Sequence, residues 1–140
     1  MRLEKWDSAA HLPILHDWSE KDDRITKLLG SEVTEDDLDR VIPVRVLAFN
    51  DSGSPVAMFG MMKMGPSLAV VHVIGSPDRK SLGSKAEIVY AYKMAEDFAR
   101  EQGVKILYTQ IPHELVESIR MAEHVGFTQL PYVQLVKGLN

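Results

Sequence analysis

The sequence predicts a mixed α/β (α+β) domain in which a mostly antiparallel sheet is flanked by helices. Apolar residues recur with helical spacing in the N-terminal third and again after Lys85. Between Val44 and Ile74 the periodicity is that of strands. From Leu68 to Gln110, a strand, a loop, a long helix and a strand follow one another. This is the order of a central βαβ crossover, whose two strands run parallel.

The N-terminal third predicts one short strand and three helices. Met1–Trp6 forms the strand, and Ser8 is the expected N-cap of the first helix. The second helix covers Asp22–Leu29. Thr34 followed by Asp37 three residues later resembles a capping box for a third short helix. The apolar stripe of the first helix comprises Ala10, Ile14, Leu15 and Trp18.

Three strands follow. Val44–Phe49 alternates in strand fashion, and Asn50–Gly53 is a hairpin turn signal before a partner strand at Val56–Lys63. Leu68–Ile74 is apolar on both faces, which predicts a strand inside the sheet. The strand residues expected on the solvent face are Arg45, Lys63 and Lys137.

The C-terminal half alternates helices and strands. Lys85–Gln102 has the strongest helical periodicity, and Val104–Gln110 is the strand that completes the crossover. Glu114–His124 predicts a further helix that ends before Gly126. The last two predicted strands are Phe127–Leu130 and Tyr132–Val136.

Composition restricts the functional classes. The 140 residues correspond to one domain, placed at residues 1–140, and the net charge of −4 argues against nucleic acid as a partner. The absence of cysteine excludes disulfides, thiolate metal sites and a cysteine nucleophile. The chain has neither an apolar signal core nor an apolar run long enough to span a bilayer, so we expect a cytoplasmic protein that binds no membrane.

Metal and hydrolase motifs are missing from the sequence. His11 and His16 are five residues apart, and His113-Glu114 has no second histidine four residues after the first. No phosphate-binding Gly-x-x-x-x-Gly-Lys-Ser/Thr and no Gly-x-Ser-x-Gly elbow occurs. We therefore expect no metal site, no nucleotide hydrolysis and no serine hydrolysis.

Two segments resemble the GNAT-type N-acetyltransferases. Ser118–Phe127 is similar to a late helix of that family, in which a Ser-x-Arg-x-x-Glu pattern leads to Gly-Phe. Lys80–Lys85 resembles the Gln/Arg-x-x-Gly-x-Gly/Ala loop that binds a pyrophosphate. A one-residue shift that starts at Arg79 is the alternative register. The resemblance covers roughly Val44–Val136 and implies a GNAT-like sheet, acetyl-CoA as co-substrate and an amine as acceptor.

The predicted pyrophosphate loop has suitable chemistry. A diphosphate requires converging backbone N–H groups, a helix N-terminus and a cation. Gly83 permits close approach of the backbone, and the loop carries hydroxyl and basic side chains. The alternative interpretation is a solvated basic loop that precedes a helix. The expected cofactor-binding residues of this loop are Arg79, Lys80, Ser81, Leu82, Gly83, Ser84 and Lys85.

The resemblance also directs attention to catalytic groups. It implies that the strand Leu68–Ile74 hydrogen-bonds the pantetheine arm through its backbone and that an N–H around Val71 to Val73 polarises the thioester carbonyl. The catalytic candidates are His72 as base, Tyr108 as acid and Ser118 as a hydrogen-bonding partner of the cofactor thiol. A histidine satisfied within the sheet and a tyrosine that only packs are the alternatives.

Two positions depart from the family pattern. Leu115 stands where many members have Asn, and Ala122 stands where many have a Tyr that protonates the leaving thiolate. An inactive or weakly active binding or structural protein of the same fold, of accessory or phage type, is therefore the alternative function. Use of another acyl-CoA is a third.

Two further features concern partners. An acidic cluster precedes the first long strand; it either attracts a cationic acceptor or stabilises a helix N-terminus. The apolar C-terminal strand could pair across a homodimer. The cluster consists of Glu32, Glu35, Asp36, Asp37 and Asp39.

Overall fold

The computed structural model describes residues 1–29, 32–78 and 85–139. Its described part consists of two compact units, Met1–Gln110 and Ile111–Asn140. The first unit contains a five-stranded sheet with helices, and the second contains one helix followed by a segment without regular secondary structure.

Ten elements follow one another along the chain. The helices of the first unit are α1 (Ser8–Lys21), α2 (Asp23–Leu29), α3 (Glu35–Val41) and α4 (Lys85–Glu101). Its strands are β1 (Arg2–Lys5), β2 (Val44–Phe49), β3 (Pro55–Lys63), β4 (Leu68–Gly75) and β5 (Ile106–Tyr108). The helix of the second unit is α5 (Val116–His124).

The sheet confirms the predicted mixed topology. Its strand order is β1-β2-β3-β4-β5, and the first four strands pair antiparallel with their neighbours. β4 and β5 are parallel, with Leu68 opposite Ile106 and Val70 opposite Tyr108. Helix α4 connects them, which is the expected βαβ crossover.

Local hydrogen bonds explain where the helices begin. Asp7, one residue before the predicted Ser8, is the N-cap of α1, and its side chain accepts a hydrogen bond from the N–H of Ala9. The capping box at α3 is confirmed: Thr34 Oγ1 accepts from the N–H of Asp37, and Asp37 Oδ2 accepts from the N–H of Thr34.

Two apolar cores lie on opposite faces of the sheet. On one face Leu47, Met58 and Ile74 pack with helices α1 to α3. On the other face Val46 and Phe59 pack with α4. Alternate strand residues therefore contact different helical layers, as strand geometry requires.

The predicted hairpin turn between β2 and β3 is also confirmed. Asn50 Oδ1 accepts hydrogen bonds from the N–H groups of Ser52 and Ser54, at 3.0 and 2.9 Å. Gly53 has φ +84°, a left-handed conformation that a side chain disfavours. The turn therefore satisfies its own backbone groups.

The prediction that Arg45 lies on the solvent face is wrong. Arg45 shares a sheet face with Leu47, and its side chain is 5% exposed. Its guanidinium pairs with Glu35 at 2.7 Å and Asp39 at 2.9 Å and lies 4.9 Å from the Trp6 ring centroid. Burial is tolerated because carboxylates accept hydrogen bonds from both terminal nitrogens.

The C-terminal strand predictions are also wrong. Neither Phe127–Leu130 nor Tyr132–Val136 forms a strand in the described residues. A strand requires a hydrogen-bonded partner, and two short segments pairing only with each other would be marginal in water. Pro131 between them also has no N–H to donate. The apolar side chains of this segment remain in water, and Val136 is 100% exposed.

The other predicted elements agree in kind with small differences in length. β5 is confined to Ile106–Tyr108, and α5 begins at Val116 rather than Glu114. Gly103 and Gly126 follow α4 and α5 with φ of +82° and +107°, as expected for helix ends.

Candidate functional site

β4 and β5 diverge after three paired positions. Pairing extends from Leu68–Ile106 to Val70–Tyr108 and then ends. Beyond it, Thr109 Oγ1 donates a 3.0 Å hydrogen bond to the carbonyl oxygen of Val71. β4 continues to Gly75 with β3 on its other side. An opening therefore exists at the carboxyl ends of two parallel strands, where ligands commonly bind in α/β sheets.

The backbone groups of Val71 and Val73 point to the β5 side of β4. Ser67 and Val71 both direct their carbonyl oxygens to the β5 side, where these accept from Ile106 N–H and Thr109 Oγ1 respectively. Leu68 directs its carbonyl oxygen to the β3 side. The N–H and C=O of one strand residue point the same way, and the direction alternates along the strand. The N–H of Val71 belongs to the last paired position, Val70–Tyr108, whereas the N–H of Val73 lies beyond the pairing and is a donor on the open side.

His72 lies between these two residues in the chain, so its backbone N–H and C=O point toward β3, and its side chain lies on one known face of the sheet. It is opposite Gly60 of β3, on the face that packs with α1 to α3. The imidazole is half-buried, and this burial lowers the pKa of His72 below its ordinary 6.5 because a charged ring is poorly solvated there. The side chain is therefore neutral near pH 7 and able to accept a proton.

Tyr108 lies on the same face as His72. Leu107 packs in the core on the α4 face, so its neighbour Tyr108 points to the other face, where Val70 is its paired residue. His72 is two residues beyond Val70, which makes His72 and Tyr108 diagonal neighbours across the two strands. The structure thus brings two of the three predicted catalytic side chains onto one surface.

The third, Ser118, belongs to the second unit. It is an exposed residue of α5. In the same helix Ala122 is buried, and Leu115 is an N-cap that makes no side-chain cap hydrogen bond. Neither residue supplies a titratable or hydrogen-bonding side chain at its position.

The predicted pyrophosphate loop lies mostly outside the described residues. This applies to Arg79, Lys80, Ser81, Leu82, Gly83 and Ser84. The flanking residues are described: Ser76 N–H donates to Val56 O, Ser76 Oγ accepts from Asp78 N–H, and α4 begins at Lys85. The proposed phosphate-binding role of the loop stays a prediction.

The acidic cluster is largely occupied by structural contacts. Glu35 and Asp39 bind Arg45, and Asp37 belongs to the capping box of α3. Burial acts to raise the pKa of Glu35, but hydrogen bonds from Ser8 and Trp6 and the Arg45 charge outweigh it and lower that pKa. The interpretation of charge that stabilises a helix N-terminus therefore fits better than an acceptor-binding surface.

Sequence reasoning missed two contributors to this region. Thr109 extends the contact between β4 and β5 by one side-chain hydrogen bond, and a single threonine after a strand carries no signal for that. Arg45 was detectable in principle. It has the same strand phase as Leu47 and Phe49, which predicts a buried position, and an acidic segment precedes it.

Neither a metal cluster nor a membrane-spanning helix occurs in the described ranges. In residues 1–29, 32–78 and 85–139, no group of three or more His, Asp or Glu side chains is placed to hold a metal ion. No helix in those ranges is both long and apolar enough to cross a membrane.

Solved structures share this fold. A chimera of spermidine N-acetyltransferase SpeG from Vibrio cholerae and hSSAT is 12% identical, with TM-score 0.72 over 95% of this chain and 85% of its own. YycN from Bacillus subtilis, an acetyltransferase by inference, is 14% identical with TM-score 0.61 over 99% of both chains. A point mutant of TTHA1254 from Thermus thermophilus is 18% identical, with TM-score 0.57 over 100% of this chain and 98% of its own.

Sequence comparison adds no relative. No protein-family model matches the chain, and no curated protein matches it either. The similarity to the acetyltransferases therefore lies in the three-dimensional arrangement, which these identities establish for the fold alone.

Proposed function

We propose that this chain, which has the fold of the GNAT acetyltransferases, transfers an acetyl group from acetyl-CoA to an amine. The observation that supports this most is the divergence of β4 and β5. The backbone N–H of Val73 faces the opening, and the preceding residue is a histidine with a lowered pKa. Donors fixed on a rigid strand and a neutral base are what acyl transfer to an amine requires.

Each residue has a distinct role in this proposal. Acetyl-CoA supplies an activated thioester. The N–H of Val73 hydrogen-bonds the thioester carbonyl, where a fixed donor is typically worth about 3 kcal/mol in the transition state. The backbone of β4 beyond Val71 contacts the pantetheine arm. His72 accepts the proton that the amine must lose, either directly or through water.

Proton return to the leaving thiolate is assigned to Tyr108. It shares the face of His72, whereas buried Ala122 has no proton to give. Ser118 stays a predicted partner of the thiol, and the loop from Arg79 to Lys85 stays the predicted pyrophosphate site.

The acceptor is proposed only as an amine. Spermidine belongs to the name of the Vibrio cholerae enzyme and is not carried over, because three of the five acidic residues are already engaged. This arrangement does not favour a strongly cationic acceptor.

Acetyl-CoA binding tests the site through Val73→Pro. Proline removes the N–H that faces the opening, and no ladder bond to β3 is lost because that N–H points away from β3. We expect wild-type protein to gain melting temperature with saturating acetyl-CoA, equivalent to about 2.7 kcal/mol at 100 times the dissociation constant. Val73→Pro should melt near the wild-type temperature without ligand and gain much less with it.

A separate variant tests the predicted pyrophosphate loop. Gly83→Glu should abolish the acetyl-CoA shift by placing a side chain and a negative charge at the expected diphosphate. Absence of any shift at millimolar acetyl-CoA in the wild type would refute the transferase proposal. A shift with no CoA release across a panel of amines would instead favour the binding-protein alternative, which the alanine at position 122 supports. A larger shift with a longer acyl-CoA would favour that co-substrate.

The assembly is proposed to be a homodimer formed through residues 130–139. This segment exposes a run of large apolar side chains that a second copy could cover. The exposed residues are Leu130, Tyr132, Val133, Leu135, Val136 and Leu139. A cytoplasmic location stays a prediction.

A further inference from the structure

The sheet face that carries His72 packs with helices over only part of its width. Met58 and Ile74 contact α1 to α3 in the apolar core of that face. Other residues of the same face lie outside this core in the described part of the chain, and they are half-buried or, for Ile106, 59% exposed. We call them the open face, which consists of Met62, Leu68, Val70, Ile106 and Tyr108.

The strand registers make the open face continuous. Met62 is opposite Val70, and Val70 is opposite Tyr108, so these three side chains form one row across β3, β4 and β5. Leu68 and Ile106 form the next row. Val70 is one two-residue step, about 6.6 Å, from His72 along β4. The open face therefore begins beside the imidazole.

The composition of the open face is unusual for a sheet face that water can reach. Such faces normally carry polar and charged residues. These five positions contain no Asp, Glu, Lys or Arg, and all but Tyr108 are purely apolar. Contiguous apolar residues that remain exposed commonly mark a binding surface, and Met62 adds a side chain that adapts to the shape of a ligand.

The surroundings of His72 direct a bound acceptor toward the open face. On the β3 side, Gly60 is opposite His72, and Ile42 lies close against Gly60. Further along β4, Ile74 is buried in the core with α1 to α3. Apolar side chains therefore occupy these two directions. The open face is the apolar surface that remains accessible next to the imidazole.

We propose, on the basis of the transferase function above, that the acceptor is a primary amine with an apolar body that lies on the open face. Its nitrogen bonds to the acetyl carbonyl carbon, and its proton passes to His72. The C–S bond breaks, and the CoA thiolate takes a proton from Tyr108. A second ammonium on the acceptor would lose hydration against the open face, where no carboxylate is present to compensate it.

A series of amines tests the apolar preference. Ethylamine, butylamine and hexylamine have amino groups of the same basicity and differ only in length. With acetyl-CoA, kcat/KM should rise at least about twofold for each added methylene, because full burial of a methylene corresponds to about fourfold. Putrescine adds a second ammonium to butylamine, and its kcat/KM should be at least about tenfold lower.

Ile106→Lys tests whether the open face causes this preference. The exposure of Ile106 lets a lysine fit without disturbing the core, and its charge makes the face less apolar. We expect the ratio of kcat/KM for hexylamine to that for ethylamine to fall at least about fivefold. Tyr90→Lys is the matched control. Tyr90 is 55% exposed on α4, which packs against the other face, so this variant should keep the wild-type ratio.

A binding measurement separates this inference from the transferase function. With isotope-labelled methionine methyl groups, hexylamine should shift the NMR signal of Met62, assigned through Met62→Leu, saturably and leave that of Met94 on α4 unchanged. A Met62 shift without CoA release would support binding of apolar amines and count against the transferase.

Three results would overturn the inference and leave the transferase proposal intact. They are CoA release that does not depend on chain length, equal kcat/KM for putrescine and butylamine, and equal ratios for Ile106→Lys and Tyr90→Lys. Absence of both the Met62 shift and CoA release would overturn both proposals.

Discussion

Gly60 shows how one residue sets the spacing between the sheet and α3. A Cβ at this position would lie 2.7 Å from the Cβ of Ile42, which follows α3 and is fully buried. The contact is with a rigid, branched side chain close to its own backbone, so little can move away. Glycine therefore permits the close approach of the two elements.

Gly60→Ala should destabilise the fold by overpacking. We expect a loss of about 1–3 kcal/mol in the free energy of unfolding, measured by urea titration. Gly65→Ala is the matched control, because nothing lies within 4 Å of the Cβ it would add. Equal stability of the two variants would contradict the close approach.

His72 is expected to control the pH dependence of the proposed reaction. Burial lowers the pKa of its imidazole, so the neutral base persists to lower pH than for an exposed histidine. The acid limb of kcat/KM should therefore have its midpoint below about 6.5. His72→Gln should reduce kcat by about 10²-fold or more and remove that limb. A limb centred above 6.5, or one that survives the substitution, would argue against this role.

At this scale the sequence predicted candidates but not their surroundings. A histidine in an apolar strand suggested His72, and the strand end suggested Tyr108, yet their common face depends on the register of β4 and β5. Register is a property of paired strands and cannot be obtained from either strand alone.

Arg45 connects several elements at once. Its guanidinium on β2 binds Glu35 and Asp39 of α3 and lies over Trp6, which follows β1. Trp6 in turn donates to Glu35. These contacts hold α3 against the first two strands by charge as well as by apolar packing.

Arg45→Met should therefore loosen α3. Removing one partner of a fully buried ion pair costs about 3–5 kcal/mol; we expect about 2 kcal/mol here because Asp39 is 62% exposed. Arg100→Met is the control: Arg100 also pairs with two carboxylates, but at 65% exposure its loss should change stability by at most about 0.5 kcal/mol. Thermal unfolding of both variants checks this. Similar losses would show that burial of Arg45 is not the cause.

Elements with strong local signals were predictable. The capping box, the hairpin turn and the long helix α4 each depend on residues close in sequence, and all three are confirmed. The burial of Arg45 depends on Glu35, ten residues earlier, and on packing against α3. The strand pattern favoured a buried position, but arginine usually prefers solvent, and the prediction followed that preference.

For the whole molecule, the antiparallel pairing of β2, β3 and β4 and the parallel pair of the crossover were predicted from the order of elements, whereas the position of β1 beside β2 was not. The C-terminal segment was predicted wrongly, because strand propensity states only that residues suit a sheet and not that a partner is available. The predicted single domain over residues 1–140 stays a prediction.

The exposed C-terminal segment gives a prediction for oligomeric state. Leu135 and Val136 are 91% and 100% exposed, and covering them with a second copy would remove apolar surface from water. We expect a dimer in sedimentation equilibrium and a monomer for Leu135→Lys/Val136→Lys. Lys substitution at Met64, also exposed but on the first unit, should leave the dimer intact. A monomeric wild type at micromolar concentration would refute the assembly.

The alternation along β4 has a consequence for insertions and deletions. One extra residue before Val71 would reverse the direction of every later side chain and backbone amide of β4: the imidazole would turn to the α4 side, and the outward amide of Val73 would turn to β3. An insertion of two residues would keep each side chain on its face of the sheet and would only shift the following residues by one two-residue period along the strand. A single added codon here should therefore be far more damaging than two.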